Sequence, residues 1–303
     1  MLKRDVNTYL NVRRTAGFEL QSAEYYLRDF TRFAMARGDT HVVAQTAIAW
    51  ATHGTSEAQR RNRLMTLSRF VRFMHAENRR HELPPNDVFC GRRERPTPYI
   101  FHEEEIQRIV ARARQLGPAG SLRPDTYSTL FGLLAATGMR ASEARALHLP
   151  DVTPDGLMIR ESKFKKSRIV PLHDTTRDML EHYLKRRSRQ AGAEPHLFVS
   201  LRGRLLSHTA VAETFHQVLK ALGIPETPGR PRPRLMDLRH TFAVRALERC
   251  PEGRDHVGRH ILALTTYMGH AKVESTFWYL ESTPELMADI AQCVEAFVYG
   301  GGQ

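Results

Sequence analysis

Five residues that could do chemistry stand in order along the chain, four of them in short strings. Arg140 lies in TGMRASE (Thr137–Glu143), Lys163 in SKFKKSRIVPL (Ser162–Leu172), Arg239 in LRHTFA (Leu238–Ala243) and His270 in MGH (Met268–His270); Tyr279 follows nine residues after His270. Two guanidinium groups, an ammonium, an imidazole and a phenol suit displacement at an anionic phosphodiester. Such an ester repels nucleophiles and has a poor alkoxide leaving group, so it needs cations on its non-bridging oxygens, a nucleophile and an acid. Arginine forks grip phosphate oxygens bidentately and stay charged at any working pH. A phenol with a pKa of about 10 becomes a useful nucleophile only where clustered cations stabilise the phenolate. Each residue also has a plainer reading. Arg140 could pair with Glu143, the lysines could form a solvated basic turn, and a tyrosine is most often a core or interface residue.

Taken in order and with these gaps, the strings resemble the tyrosine recombinase, or phage integrase, family of DNA strand-transfer enzymes over roughly residues 100–281. The resemblance implies roles. Arg140 and Arg239 would hold the phosphate, His270 would hydrogen-bond a non-bridging oxygen, and Tyr279 would attack to give a 3′-phosphotyrosyl bond. Chemistry alone does not choose among Lys163, Lys165 and Lys166; counting back from Val170-Pro171-Leu172, as the family pattern does, selects Lys163 as general acid to the 5′ oxygen. His240, next to Arg239, would take the tyrosine proton or buttress the site, and Glu143 would orient Arg140 or the lysine hairpin. Because a phosphotyrosyl ester conserves the energy of the broken bond, resealing would need no ATP, metal or other cofactor. Met236 departs from the pattern, since most members carry His three residues before the second arginine, and a thioether donates no hydrogen bond. Either another side chain substitutes, or the enzyme is slow, or it is inactive.

The implied function is site-specific recombination on double-stranded DNA by a homo-oligomer, dimer to tetramer, with sister recombinases as further partners. SKFKKSRIVPLH and WYLESTPELM look most like recombinases of mobile elements, which favours integration or transposition. Two rivals stay open: a DNA-binding relative disabled at Met236, and a type IB topoisomerase-like enzyme that relaxes DNA without site choice.

The elements expected to position these residues are mostly helical. In the first 90 residues, Ala23, Leu27, Phe30 and Ala34 recur at helical spacing until Gly38, a short helix spans 42–52, and Ser56 to Gln59 forms a capping box. The helix it opens carries Leu64, Leu67, Phe70, Val71 and Met74 on one face. Arg60, Arg61, Arg63, Arg69, Arg72, Arg79 and Arg80 are assigned off that face as phosphate contacts, with Arg61, Arg72 and Arg79 sharing one side. A Pro- and Arg-rich stretch opposes helix, giving residues 1–91 as an N-terminal helical DNA-binding (core-binding) domain, 92–99 as linker and 100–303 as catalytic domain. There, helices from 103 and through 130–138 precede a three-stranded meander over 147–152, 157–161 and 169–172. Further helices follow at 174–190, 208–222, 236–249 and 259–268, then a last amphipathic one over 284–299 that would dock on a neighbour. The fold class is thus mainly α with a small antiparallel sheet (α+β).

Composition agrees with a polyanionic partner. The 303 residues include 45 Lys+Arg against 33 Asp+Glu, a formal net charge of +12. Three cysteines without a CxxC pair fit a reducing compartment, and Cys250, His256 and His260 lack a fourth ligand, so no metal site is expected. The start has no apolar signal-peptide core and the apolar stretch 130–136 is too short for a membrane span, so the expectation is a cytoplasmic, nucleoid-associated protein without a membrane partner.

Overall fold

The computed structural model describes residues 1–85, 87–89, 97–162, 166–224, 232–249 and 254–270, with Val273, Thr276 and Tyr279. Lys163, Lys165 and the segment 284–299 fall outside the described residues. The chain divides into two compact units, Met1–Arg95 and Pro96–Gln303.

Four helices build the first unit: α1 (Leu2–Thr15), α2 (Gln21–Ala36), α3 (Ala44–Thr52) and α4 (Glu57–His75). The predicted apolar stripe of α4 is buried at all five positions and meets Leu27 and Phe30 of α2 and Trp50 of α3. Ser56 caps α4 by accepting from the Gln59 N–H at 3.2 Å. The reciprocal half of the box is shifted by one residue, because Gln59 Oε1 accepts from the backbone N–H and hydroxyl of Thr55 at 2.6 and 2.9 Å.

The arginine assignment needs two corrections. Arg63 turns inward: Nη2 binds Asp29 Oδ2 at 2.5 Å, Nη1 donates to Trp50 O at 3.2 Å, and the guanidinium lies 4.5 Å from the Trp50 ring centroid. A shielded carboxylate between helices must find a counter-charge, and Arg63 supplies it. Arg79 cannot share a helix side with Arg61 and Arg72, because α4 ends at His75 and Arg79 lies in the following turn. Arg60, Arg69, Arg72 and Arg79 are exposed and Arg61 is half-buried.

The second unit contains α5 (Glu103–Ala113), α6 (Arg123–Thr137), α7 (Ala141–Ala146), β1 (Val152–Thr153), β2 (Gly156–Ser162), β3 (Lys166–Val170), α8 (Asp174–Gln190), α9 (His208–Ala221), α10 (Leu235–Glu248) and α11 (Arg254–Tyr267). The strands form one antiparallel sheet in sequence order, as expected for the α+β class. β1 is shorter than expected: Leu149–Asp151 forms a 3-10 turn that contains Pro150 and is closed by Asp151 Oδ2 accepting from the His148 N–H at 2.9 Å. Lys166 opens β3 opposite Ser162. Leu157 pairs with Val170 and Ile159 with Arg168, which puts Arg168 on the inward side of the sheet with three core residues. α6 runs through the core, burying Leu130, Phe131, Leu133 and Leu134 against Phe101, Tyr183, Phe198 and Phe215. Among the described residues no helix is long and apolar enough to cross a membrane.

Candidate active site

The site is built around the C-terminus of α11. Gly269 takes a left-handed φ of +63°, and the helix closes with Gly269 N–H donating to Thr266 O and His270 N–H to Thr265 O, both at 3.0 Å. This Schellman arrangement satisfies two terminal carbonyls and leaves those of residues 267, 268 and 269 pointing onward. Three arginines from three elements satisfy them one each. Arg168 Nε donates to Tyr267 O at 2.8 Å, Arg239 Nη2 to Met268 O at 2.7 Å, and Arg140 Nη2 to Gly269 O at 3.2 Å. Cations at the negative end of a helix dipole are favourable, so α11 itself helps to collect the positive charge.

Arg140 arrives at this point because Gly138 ends α6 with φ +58°; a Cβ there would lie 2.4 Å from Phe242 Cδ1. Arg140 is the N-cap of α7. Its backbone N–H donates to Glu143 Oε2 at 2.9 Å and its Nη1 to Glu143 Oε1 at 2.7 Å. The N–H of Arg140 at this helix start is therefore taken by Glu143. Arg239, one turn into α10, is buried and also donates through Nη1 to Gly138 O at 2.7 Å. Burial, then the charge of Arg140, lowers its pKa to about 10, which leaves it cationic at neutral pH.

Arg239 Nη2 lies 3.1 Å from His270 Nε2, and His270 Nδ1 lies 2.9 Å from Thr276 Oγ1. A guanidinium only donates, so Nε2 is the acceptor and the ring proton sits on Nδ1, donating to Thr276. Thr276 in turn meets Thr265 Oγ1 at 2.9 Å, and Thr265 donates to Ile261 O at 2.7 Å. The tautomer of His270 is thus set from both ends. Burial, then Arg239 and Arg140, bring the His270 pKa down to about 4, so the ring is neutral at pH 7. Burial, then Arg234 and Arg239, do the same for His240. Tyr279 is 3% exposed. Its ring lies near both imidazoles, 5.5 Å from His240 and 6.1 Å from His270 by centroids.

Arg140, Arg239, His270, Tyr279, Glu143 and His240 are therefore gathered at one place, while Lys163 and Lys165 lie outside the described residues. Met236, in the first turn of α10, is 44% exposed, so an imidazole there would keep access to solvent. His260 donates Nε2 to Ala246 O at 2.7 Å. Two residues of the cluster carried no sequence assignment. Arg168 also forks onto Glu143, Nη1 to Oε1 at 3.1 Å and Nη2 to Oε2 at 2.8 Å; the alternation of inward Val170 with outward Ile169 was the available signal. Thr276, three residues before Tyr279, had none. Burial alone would raise the Glu143 pKa, but the bonds from Arg168 and Arg140 hold it down at about 2.

Comparison with known proteins gives a consistent picture. The family described as "Phage integrase family" matches residues 100–285. A putative integrase/recombinase, y4rB, of Sinorhizobium fredii is 37% identical over 304 residues, covering 97% of this chain and 96% of the relative. Tyrosine recombinase XerD of Caulobacter vibrioides is 30% identical over 246 residues, covering 79% and 75%. Among solved structures, the XerH site-specific recombinase bound to palindromic difH substrate aligns with a TM-score of 0.67 at 18% identity, over 91% of this chain and 80% of that one. The Tn1549 transposon integrase in complex with transposon right end DNA aligns with a TM-score of 0.63 at 15% identity, over 96% and 99%. At those identities the structural likeness speaks for the fold.

Proposed function

This chain belongs to the phage integrase family of tyrosine recombinases, enzymes that cleave and rejoin DNA strands, and from that premise we propose that Tyr279 is its nucleophile in a site-specific recombination through a 3′-phosphotyrosyl intermediate. In the forward step a bond forms between the Tyr279 oxygen and phosphorus, and the bond from phosphorus to the 5′ oxygen breaks. Lys163 gives its proton to the departing 5′ oxygen. The phenolic proton passes to His240, neutral and beside the ring. Resealing reverses each transfer, with a 5′-hydroxyl attacking the phosphotyrosine.

The observation that supports this most is the convergence of four sequence-distant groups on one helix end. Arg239 touches His270 at 3.1 Å, His270 stacks with Tyr279, and Arg140 reaches Gly269 O beside them. Each guanidinium has five N–H donors in a fixed fork. Arg140 and Arg239 keep donors beyond the bonds named here, enough to take non-bridging oxygens. A bound phosphate would also favour protonation of His270, whose Nε2 otherwise only accepts.

In the same reading residues 1–91 form the core-binding domain and 92–99 the linker, with 100–303 as the catalytic domain. Arg60, Arg61, Arg69, Arg72 and Arg79, with Lys165 and Lys166, contact phosphates of double-stranded DNA, which the two domains clamp. The active form is a homo-oligomer on DNA, dimer to tetramer, or an assembly with sister recombinases, in the cytoplasm at the nucleoid. The strings SKFKKSRIVPLH and WYLESTPELM support service to a mobile element by integration or transposition.

A nicked suicide duplex tests the reading. Wild type is expected to leave a denaturation-resistant protein–DNA adduct; Tyr279→Phe is expected to leave none while binding DNA within a few-fold, because one hydroxyl contributes little to a large electrostatic interface. Attachment through another tyrosine would refute the assignment. Binding without any adduct would favour the disabled relative, and sequence-independent relaxation of supercoils would favour the topoisomerase-like enzyme.

A further inference from the structure

Resting on that reading, we infer that Arg168 is a positioning residue that balances the charge of Glu143 and so keeps Arg140 available to the phosphate. Arg168 has no role in the chemistry itself. Its side chain is 12% exposed, it stands on the inward side of β3, and its guanidinium is committed to Tyr267 O and to both oxygens of Glu143. A Cβ on Gly269 would come within 2.8 Å of Arg168 Nη1, so the fork lies directly against the turn that carries His270.

The stoichiometry of this cluster gives Arg168 its purpose. One carboxylate, its side chain 5% exposed, lies between two guanidiniums, so the trio carries a net charge of +1. Arg168 takes Glu143 as a bidentate fork, whereas Arg140 meets it through Nη1 and its backbone N–H and spends Nη2 on Gly269 O. With Arg168 removed, the carboxylate would face one cation alone. The Arg140–Glu143 pair would then be neutral, and the fork of Arg140 would be drawn onto Glu143, the geometry that planar guanidinium and carboxylate prefer. The phosphate would lose both a positive charge and a grip.

Cleavage of the suicide duplex is measured in single turnover for wild type, Arg168→Gln, Arg168→Lys, Glu143→Gln and the double variant Arg168→Gln/Glu143→Gln. Arg168→Gln is expected to cut about 10²-fold more slowly, the loss typical of one preorganised donor at developing charge, with DNA affinity within a few-fold of wild type. Arg168→Lys keeps the charge without the fork and is expected to recover part of the rate. The deciding arm is the double variant. With Glu143 neutral there is nothing to balance, so the same Arg168 change should cost less than about tenfold, since an energetically coupled pair is non-additive. An equal loss in both backgrounds means that Arg168 merely fills space, and no loss in either means that it does nothing; both overturn the inference while leaving the Tyr279 reading intact. Should Arg168→Gln fail to fold, Arg168→Lys takes its place: a loss that shrinks when Glu143 is also Gln supports the balance, and an equal loss in both backgrounds, or none in either, overturns it. Absence of an adduct with wild type would instead sink the functional reading and this inference with it.

Discussion

Restoring the donor that Met236 lacks is the most direct test of whether the site is slow or merely occupied elsewhere. Met236 sits three residues before Arg239 on α10, so the two share a helix side. Being 44% exposed, it has only about half of the 1.5–3 kcal/mol of a fully buried Met to lose, and an imidazole regains some of that by packing its own ring. Met236→His should therefore change stability by no more than about 1 kcal/mol. On the catalytic side, one preorganised donor in a dry site is worth about 10²–10³ in rate. Here water competes with the donor, and a net charge-assisted bond of about 1.5 kcal/mol corresponds to roughly tenfold. Single-turnover cleavage by wild type, Met236→His and His240→Ala on one suicide duplex, with melting temperatures alongside, checks this. A gain of about tenfold, larger at pH 6 than at pH 8, is expected. If His240 already fills the role, the gain shrinks below threefold and His240→Ala costs more than the roughly 10² expected from loss of a proton acceptor alone. A loss of more than tenfold without loss of stability would refute the placement of residue 236 beside the phosphate. Silence from wild type together with robust cleavage by Met236→His would refute the enzyme reading altogether.

Three further outcomes follow from the same geometry. Arg63→Ala should lower stability by about 1–2 kcal/mol, through the lost bond to Asp29, which keeps Trp50 Nε1 and Arg32 as donors, and the lost contact with the Trp50 ring, without altering the salt dependence of DNA binding; a changed salt slope would return Arg63 to the DNA surface. Arg69→Gln should reduce the slope of log K against log salt by about 0.9 at little cost in stability, and if removing residues 1–95 left the affinity unchanged, the clamp would be wrong. Acid should destabilise the fold in two stages. His240 and His270 have native pKa values of about 4, below the ordinary 6.5, so the unfolded chain binds protons first, and stability present above pH 6.5 is lost as pH falls toward 4. Glu143, held at about 2, adds a contribution that is present above 4.5 and lost as pH falls toward 2. A melting temperature that stays flat from pH 7 to 5 would contradict the burial of both imidazoles, and His240→Asn should flatten the slope.

How far the sequence carried these conclusions depended on what each residue has to recognise. Phosphoryl transfer tolerates few residue types, so Arg140, Arg239, His270 and Tyr279 stood out by identity and spacing, and they do meet. Arg168 and Thr276 serve backbone carbonyls and other side chains of the protein, a task open to many residue types, so residue identity did not announce them. Part of the shortfall was avoidable. Arg63, Leu67, Phe70 and Met74 are separated by 4, 3 and 4, which puts Arg63 on the apolar stripe of α4 and not off it. Its fate then depended on a carboxylate in α2, and Asp29 one residue before buried Phe30 was a candidate. Arg168 was open to the same reasoning, since a strand that buries Val170 buries position 168 as well. In both cases a charge on an apolar period marks a partner hidden in the fold.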